Sequence, residues 1–310
     1  MESGLPRRPA STMKCLVSGG SGFLGRHVVN RLLEDSHYVG ILTRQPGRHA
    51  RTAVATHTWD PLGGEPPHES LNGMDCVIHL AGENVAQRWN PEVKRLIHDT
   101  RVIGARNIID GIEKVRHKPK VFISASAIGI YGDRGDEVLT EASVPGTGFL
   151  ADTCRAWEAE ADRARRFGLR VVKIRIGFVL GKDGGALAQM VPAFKAFLGG
   201  RLGSGKQWMP WIHVDDVAEI FAYAVNNEIS GVWNAVAPEP VRNAEFTRVL
   251  ASALGRPALL PIPRAALKLV YGELAQHMLD SARVIPANLQ NAGFRFTHPG
   301  LSETLNSLVR

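Results

Sequence analysis

Lys14-Cys15-Leu16-Val17-Ser18-Gly19-Gly20-Ser21-Gly22-Phe23-Leu24-Gly25, residues 14–25, is the stretch that decides the fold of this chain. The apolar run Cys15–Val17 predicts a strand and Gly19-Gly20-Ser21-Gly22 a turn. The spacing of Val28, Val29, Leu32 and Leu33 after Gly25 predicts a helix. Strand, glycine turn and helix in that order set a helix N-terminus where a dinucleotide pyrophosphate can rest against it. Gly19 then permits the tight turn, Gly22 lets backbone approach phosphate, and Gly25 lets the helix close on the strand. Phe23 and Leu24 complete this cofactor-binding set. The spacing is G-x-x-G-x-x-G rather than G-x-G-x-x-G. An ordinary tight turn would need only two of these glycines.

Outward from the turn, composition sets the class. The 310 residues are 44% hydrophobic and 22% charged, ordinary for a globular α/β protein. No apolar stretch approaches the roughly 20 residues that span a bilayer, and residues 1–12 lack the apolar core of a secretory signal. Those twelve read as a disordered extension, with a trimmed targeting remnant as the other reading and Met13 as an alternative start. Cys15, Cys76 and Cys154 have neither metal-ligand spacing nor a paired framework, which predicts no metal site and a reducing cytoplasm. The net charge of +7 suits an anionic small molecule. Lys and Arg are scattered without a basic run, so neither nucleic acid nor membrane is expected as a partner.

Strand and helix patterns alternate for about 180 residues, which predicts a doubly wound parallel sheet with helices on both faces. Tyr38–Thr43, Asp75–Leu80, Val121–Ser126, Leu169–Ile176 and Val232–Val236 read as strands. Pro91–Ile112, Ala151–Phe167 and Leu187–Leu198 read as helices. In WIHVDDVAEIFAYAV, Asp215 or Asp216 reads as the cap of a further helix. The expected organisation is a Rossmann-like NADP-binding domain over 13–180, with 212–236 returning to it. A smaller, mostly helical substrate lobe takes 181–211 and 237–310.

With these pieces in place, the chain resembles an extended short-chain dehydrogenase/reductase, the superfamily of nucleotide-sugar epimerases and dehydratases. The motifs are GGSGFLG (19–25), DCVIHLAGEN (75–84), SASAIGIYG (124–132) and WIHVDDVA (211–218). LAGENVAQRW, CRAWEAEA, GGRLGSGKQWMPWIHVDD and VIPANLQNAGFRF are similar to one subgroup, the epimerase-family proteins, some labelled cell-division-inhibitor homologues. The resemblance implies a nicotinamide cofactor. The second strand ends Leu42-Thr43-Arg44 with no acid, so Thr43 and Arg44 suit a ribose 2′-phosphate and point to NADP. The resemblance passes the cofactor ribose along Leu80, Ala81 and Gly82 and puts Val179 and Arg101 among the cofactor contacts. It also implies paired helices in a homodimer.

The chemistry departs from the superfamily. A Ser is expected, then Tyr-x-x-x-Lys on the next helix, the lysine lowering the tyrosine pKa for proton transfer. Ser126 matches the serine, but the tyrosine position falls on Leu150 and the lysine position on Cys154. Tyr131 is the first substitute proton carrier, ahead of Cys154 and a His213/Asp215 pair. Glu83, Asn84, Arg175, Gln207, Trp211 and His213 are expected to meet the substrate, with Arg88, Trp89 and Trp208 nearby. Two functions stay open: an NADP-dependent oxidoreductase or epimerase-like enzyme on a small polar substrate, and a non-catalytic NADP-binding regulator that signals to a protein partner.

Overall fold

The computed structural model describes residues 11–46, 54–258 and 260–309, so residues 1–10 of the expected extension lie outside the described residues. The strands are β1 (Lys14–Ser18), β2 (Tyr38–Thr43), β3 (Val54–Thr58), β4 (Cys76–His79), β5 (Val121–Ala127), β6 (Val138–Leu139), β7 (Arg170–Ile176), β8 (Phe178–Gly181), β9 (Trp208–Met209), β10 (Trp211–His213), β11 (Gly231–Ala235), β12 (Val241–Arg242) and β13 (Arg283–Val284). The helices are α1 (Phe23–Glu34), α2 (His68–Leu71), α3 (Pro91–Lys114), α4 (Phe149–Asp162), α5 (Gly185–Lys195), α6 (Val214–Asn226), α7 (Asn243–Leu254), α8 (Arg264–Tyr271), α9 (Leu274–His277), α10 (Ala287–Asn291) and α11 (Leu301–Val309). None of the described helices is long and apolar enough to cross a membrane.

Seven strands form one sheet in the order β11-β7-β5-β4-β1-β2-β3, with every neighbouring pair parallel. This is the expected Rossmann-like sheet. The order reverses between β1 and β4, and the edge beyond the strands' carboxyl ends at such a switch point is where open α/β sheets take their ligands. Period-two alternation sends successive residues to opposite faces. Val17, Ile78 and Ile123 join Val28 and Leu32 of α1 and Val217 and Phe221 of α6 in one core. Leu16, Val77 and Phe122 join Ile108 and Ile112 of α3 in another. Because both faces are covered, β4 is buried at all four positions, as its unbroken apolar run required.

The C-terminal region is mostly helical and has its own apolar cluster, including Trp211, Phe246, Leu250 and Leu305. Three local features differ from expectation. β3, the edge strand, is half-polar Val54-Ala55-Thr56-His57-Thr58 and gave no apolar run to read. The helix expected over 151–167 starts at Phe149 and tightens into a 3₁₀ turn, Arg163–Phe167, that ends on left-handed Gly168. The cap of α6 is His213, whose Nδ1 accepts the Asp215 N–H at 3.1 Å. Asp216 is instead fully buried and accepts the backbone N–H of Thr297 at 2.7 Å and of His298 at 3.0 Å.

A Cβ added at Gly25 would stand 2.1 Å from the Gly19 carbonyl oxygen and 2.7 Å from Gly20 Cα. Both obstacles are backbone, so Gly25→Ala must push α1 off the turn. Urea denaturation should show a loss of about 1–3 kcal/mol, the usual cost of overpacking. An unchanged midpoint would mean the turn yields freely.

Candidate functional site

The crevice begins at the glycine turn. Gly19 takes φ +71° and packs on the segment after β4, where an added Cβ would stand 2.8 Å from Ala81 N. The Gly22 N–H closes the turn on the Gly19 carbonyl at 3.0 Å. α1 then starts with no side-chain cap and no acidic residue in its first turn. Its amino end, which includes Phe23, Leu24 and Gly25, presents backbone N–H groups and the positive end of the helix dipole. The Phe23 ring lies under Gly181, Gly184 and Gly185, where added Cβ atoms would meet it, and this links the turn to β8 and Val179.

Ser21, a residue the motif reading passes over, lies Oγ to Oγ1 3.1 Å from Thr43 and ties the turn to the end of β2. Thr43 is buried, whereas Arg44 beyond it is exposed. No ion pair among the described residues includes Arg44. Together the uncapped helix start, the cradle without side chains and the open guanidinium fit a pyrophosphate and a ribose phosphate.

Leu80, Ala81 and Gly82 form the next wall, and a serine–histidine pair sets its course. Ser18 Oγ accepts the N–H of Leu80 at 3.2 Å and of Ala81 at 3.3 Å, and it lies 2.7 Å from His79 Nδ1. With two N–H groups aimed at it, the hydroxyl sends its own proton to Nδ1, so the ring is neutral and carries its proton on Nε2. Burial pushes the His79 pKa down to about 4. Sequence reading does not single out this pair. Its signal is register: Ser18 and His79 end two adjacent buried strands as direct partners.

The residues expected to do chemistry are brought together, but into a network that occupies them. Ser126, at the end of β5, donates to Glu158 Oε1 at 2.7 Å. Arg175, on β7, grips both Glu158 oxygens, Nε to Oε1 at 2.8 Å and Nη2 to Oε2 at 3.0 Å. Arg175 Nη1 donates to the Tyr131 hydroxyl at 3.0 Å. That hydroxyl sits 2.7 Å from Asn234 Oδ1 and 3.0 Å from the Thr140 carbonyl. All four side chains are at most 7% exposed. Burial raises the Tyr131 pKa above its ordinary value, against the neighbouring Arg175 charge. Arg175 and Tyr131, read from sequence as a substrate contact and a proton carrier, are thus joined to each other. Glu158, read only as an alignment anchor, organises the group.

The other candidates are distributed. Cys154 lies on α4, and burial pushes its thiol up to about 11, which keeps it a neutral thiol. Trp211 is 1% exposed and belongs to the lobe's core, so its ring faces protein. Gln207 is buried and donates to the Leu202 carbonyl at 3.2 Å. Trp208 lies between Arg242 and Arg283, 4.4 and 4.7 Å from its ring. His213, Asp215 and His298 place possible ligand atoms within 4.8 Å of one another. Yet the rings of His213 and His298 stack with centroids 3.8 Å apart, and His213 Nδ1 already accepts the Asp215 N–H. Burial, reinforced by His298, lowers His213 to about 4.

Glu83 and Asn84 stand on the loop between β4 and α3. The Glu83 N–H donates to Thr100 Oγ1 at 2.9 Å, and Glu83 Oε1 accepts from Gln87 at 3.1 Å. Asn84 Oδ1 accepts the Ala86 N–H at 3.0 Å. The loop then latches onto the C-terminal lobe. Arg88 donates to the Leu269 carbonyl, and Trp89 packs against His277 with ring centroids 5.1 Å apart. Arg101 lies beneath Gly82, where an added Cβ would stand 3.1 Å from its Cζ.

Residues 15–235 match the family described as NAD dependent epimerase/dehydratase, and residues 262–308 match a domain of unknown function, DUF1731. The Arabidopsis thaliana chloroplastic homologue of epimerase family protein SDR39U1 is 39% identical, over 97% of this chain and 88% of that protein. Epimerase family protein YfhF of Bacillus subtilis is 36% identical, over 96% of this chain and 98% of its own length. The crystal structure of human epimerase family protein SDR39U1 (isoform 2) with NADPH superposes with a TM-score of 0.85. It is 32% identical and covers 96% of this chain and 99% of the human one.

Two outcomes follow from this geometry. Glu158→Ala leaves the buried Arg175 charge unpaired and should cost about 3–5 kcal/mol in urea denaturation. A loss below about 1 kcal/mol would show that the charge finds water instead. His79 and His213 resist protonation in the fold. Below the ordinary histidine pKa of 6.5 the unfolded chain takes up protons that the fold refuses. Their contribution is complete above 6.5 and declines as pH falls toward 4. Thermal denaturation across this window should show that decline, and it should be shallower in His79→Gln.

Proposed function

We propose that this chain, which belongs to the NAD dependent epimerase/dehydratase family, binds NADP(H) along the carboxyl edge of its sheet and acts as an oxidoreductase or epimerase-like enzyme on a small polar substrate. The observation that carries the cofactor choice is Arg44: exposed, outside every ion pair of the described residues, and set at the end of β2 where no acid stands. A carboxylate there would bind a ribose hydroxyl and repel a phosphate, whereas a guanidinium fork accepts the phosphate through charge-assisted hydrogen bonds. The human relative crystallised with NADPH supports the same choice.

A bound nicotinamide supplies hydride donation or acceptance, and the chain's own residues bind and orient. The glycine turn and the α1 amino end hold the pyrophosphate. Thr43 and Arg44 hold the 2′-phosphate, while Ser18 and neutral His79 fix the Leu80–Gly82 wall. Ser126 orients a reacting oxygen only when its hydroxyl leaves Glu158. Three buried free cysteines suit a reducing compartment, and we place the protein in the cytoplasm.

One observation favours a second reading, a non-catalytic NADP-binding protein that reports cofactor state to a partner. The hydroxyls of Ser126 and Tyr131 are both engaged inside the protein. Turnover separates the two. Oxidation of NADPH with a panel of carbonyl compounds, lost in Ser126→Ala, supports the enzyme; tight NADPH binding with no turnover supports the regulator.

For the cofactor, fluorescence titration should give a clear preference for NADPH over NADH. Arg44→Ala should weaken NADPH by about 10- to 100-fold, the value of a charge-assisted contact, and leave NADH nearly unchanged. Equal affinities that the substitution does not alter would overturn the NADP assignment.

A further inference from the structure

The network that occupies Tyr131 and Arg175 removes two expected site groups, but besides the exposed Arg44 a second, more enclosed cation stays without an ion pair among the described residues. Arg101 projects from α3 beneath Gly82. Its Nη1 donates to the Ile97 carbonyl at 3.0 Å, and its Cζ lies 5.5 Å from the Trp157 ring. No ion pair among the described residues includes it. Glu83, the carboxylate it senses most, bonds to Gln87 instead. The contrast with two other arginines is chemical. Arg31 and Arg175, gripped by carboxylates, hold their protons more tightly than usual, whereas enclosure makes Arg101 hold its proton less tightly. An enclosed cation without a counter-charge costs free energy unless an anion completes it.

Position says where that anion arrives. The guanidinium is roofed by Gly82, which is itself exposed and has no side chain to cover it. On the protein side it faces Cys154, whose thiol responds to the Arg101 charge. Cys154 occupies the place where the superfamily pattern puts its lysine. The charge absent from α4 is therefore present in the same crevice, delivered from α3. Two edges of the fork, Nε and Nη2, have no partner among the described residues, and that geometry matches a carboxylate.

We infer that Arg101 is a substrate-binding residue that receives the carboxylate of an anionic substrate over Gly82, beside the nicotinamide end of the crevice. This deepens the proposed function by naming a substrate class, small carboxylic acids, and it rests on the crevice being the cofactor site. Among oxyanions the substrate's carboxylate and the cofactor's own phosphate share this chemistry, so the test separates them.

Thermal unfolding is followed with about 20 mM oxalate, with oxamide as the uncharged control and chloride at matched ionic strength, with and without saturating NADPH. NADPH affinity is measured in parallel by fluorescence. Oxalate, but not oxamide or chloride, should raise the unfolding temperature, and NADPH should preserve that rise. Arg101→Met should abolish the rise while NADPH affinity stays within about threefold. Without ligand, Arg101→Met should unfold at the same or a higher temperature, since it removes an unmatched charge; Arg101→Lys should keep a reduced rise. A much weaker NADPH affinity in Arg101→Met, with oxalate displaced by NADPH, would assign the guanidinium to a cofactor phosphate and overturn the proposal. A ligand-free Arg101→Met that unfolds well below the parent would make Arg101 a structural support and overturn it too. If NADPH fails to bind while oxalate stabilises the parent, the cofactor reading falls and the anion site stands.

Discussion

The bidentate grip of Arg175 on Glu158 is the interaction on which the site end of this molecule depends. Two opposite charges, each nearly out of water, are tolerable only if every remaining hydrogen-bonding position is filled. Ser126 fills one position on the carboxylate, and Tyr131 takes the outward edge of the guanidinium. Tyr131 in turn leans on Asn234, whose side-chain N–H donates to the Ile285 carbonyl at 3.1 Å. One ion pair thus joins β5, β7, α4, β11 and the segment leading into α10. Replacing any member exposes the cost of the others, which is why Ser126 and Tyr131, the two residues that look catalytic in sequence, are held in place in the fold.

The glycine turn is governed by a different constraint. The helix start takes no side-chain cap, a Cβ on Gly25 would meet backbone at both nearest contacts, and Gly19 takes a left-handed conformation against Ala81. One end of the crevice therefore invites a ligand while the other is internally saturated. Arg101, like Arg44, is a charge that no carboxylate among the described residues answers. The open groups at the turn are backbone, whereas the groups at the other end are side chains that answer one another.

The fold was legible because its signals are local and repeated. β2 was read to the residue, since burial on both faces forces an unbroken apolar run between two punctuating polar ends. β3 escaped because an edge strand needs no such run, and its half-polar sequence is consistent with a loop. The glycine turn was legible for the same reason as β2: glycines at a strand–helix junction carry their structural meaning in spacing alone. The chemical end was not. Tyr131 and Asn234 are 103 residues apart, and the fate of a hydroxyl depends on a partner that spacing cannot reveal. Glu158 carries no signal of its own in the sequence, because its partner Arg175 comes from a strand. The cap of α6 went to His213 over the two aspartates because Asp216 points into protein and holds residues 297 and 298.

That last attachment has a consequence for how the chain is made. Asp216 opens α6, which packs on α1 under the sheet, yet its two N–H partners are translated some eighty residues later. Asn234 and Glu141 wait in the same way for Ile285 and Asn288. Emerging from the ribosome, the N-terminal half has its apolar strands but lacks the native partners of these buried polar groups until residue 298 has been made.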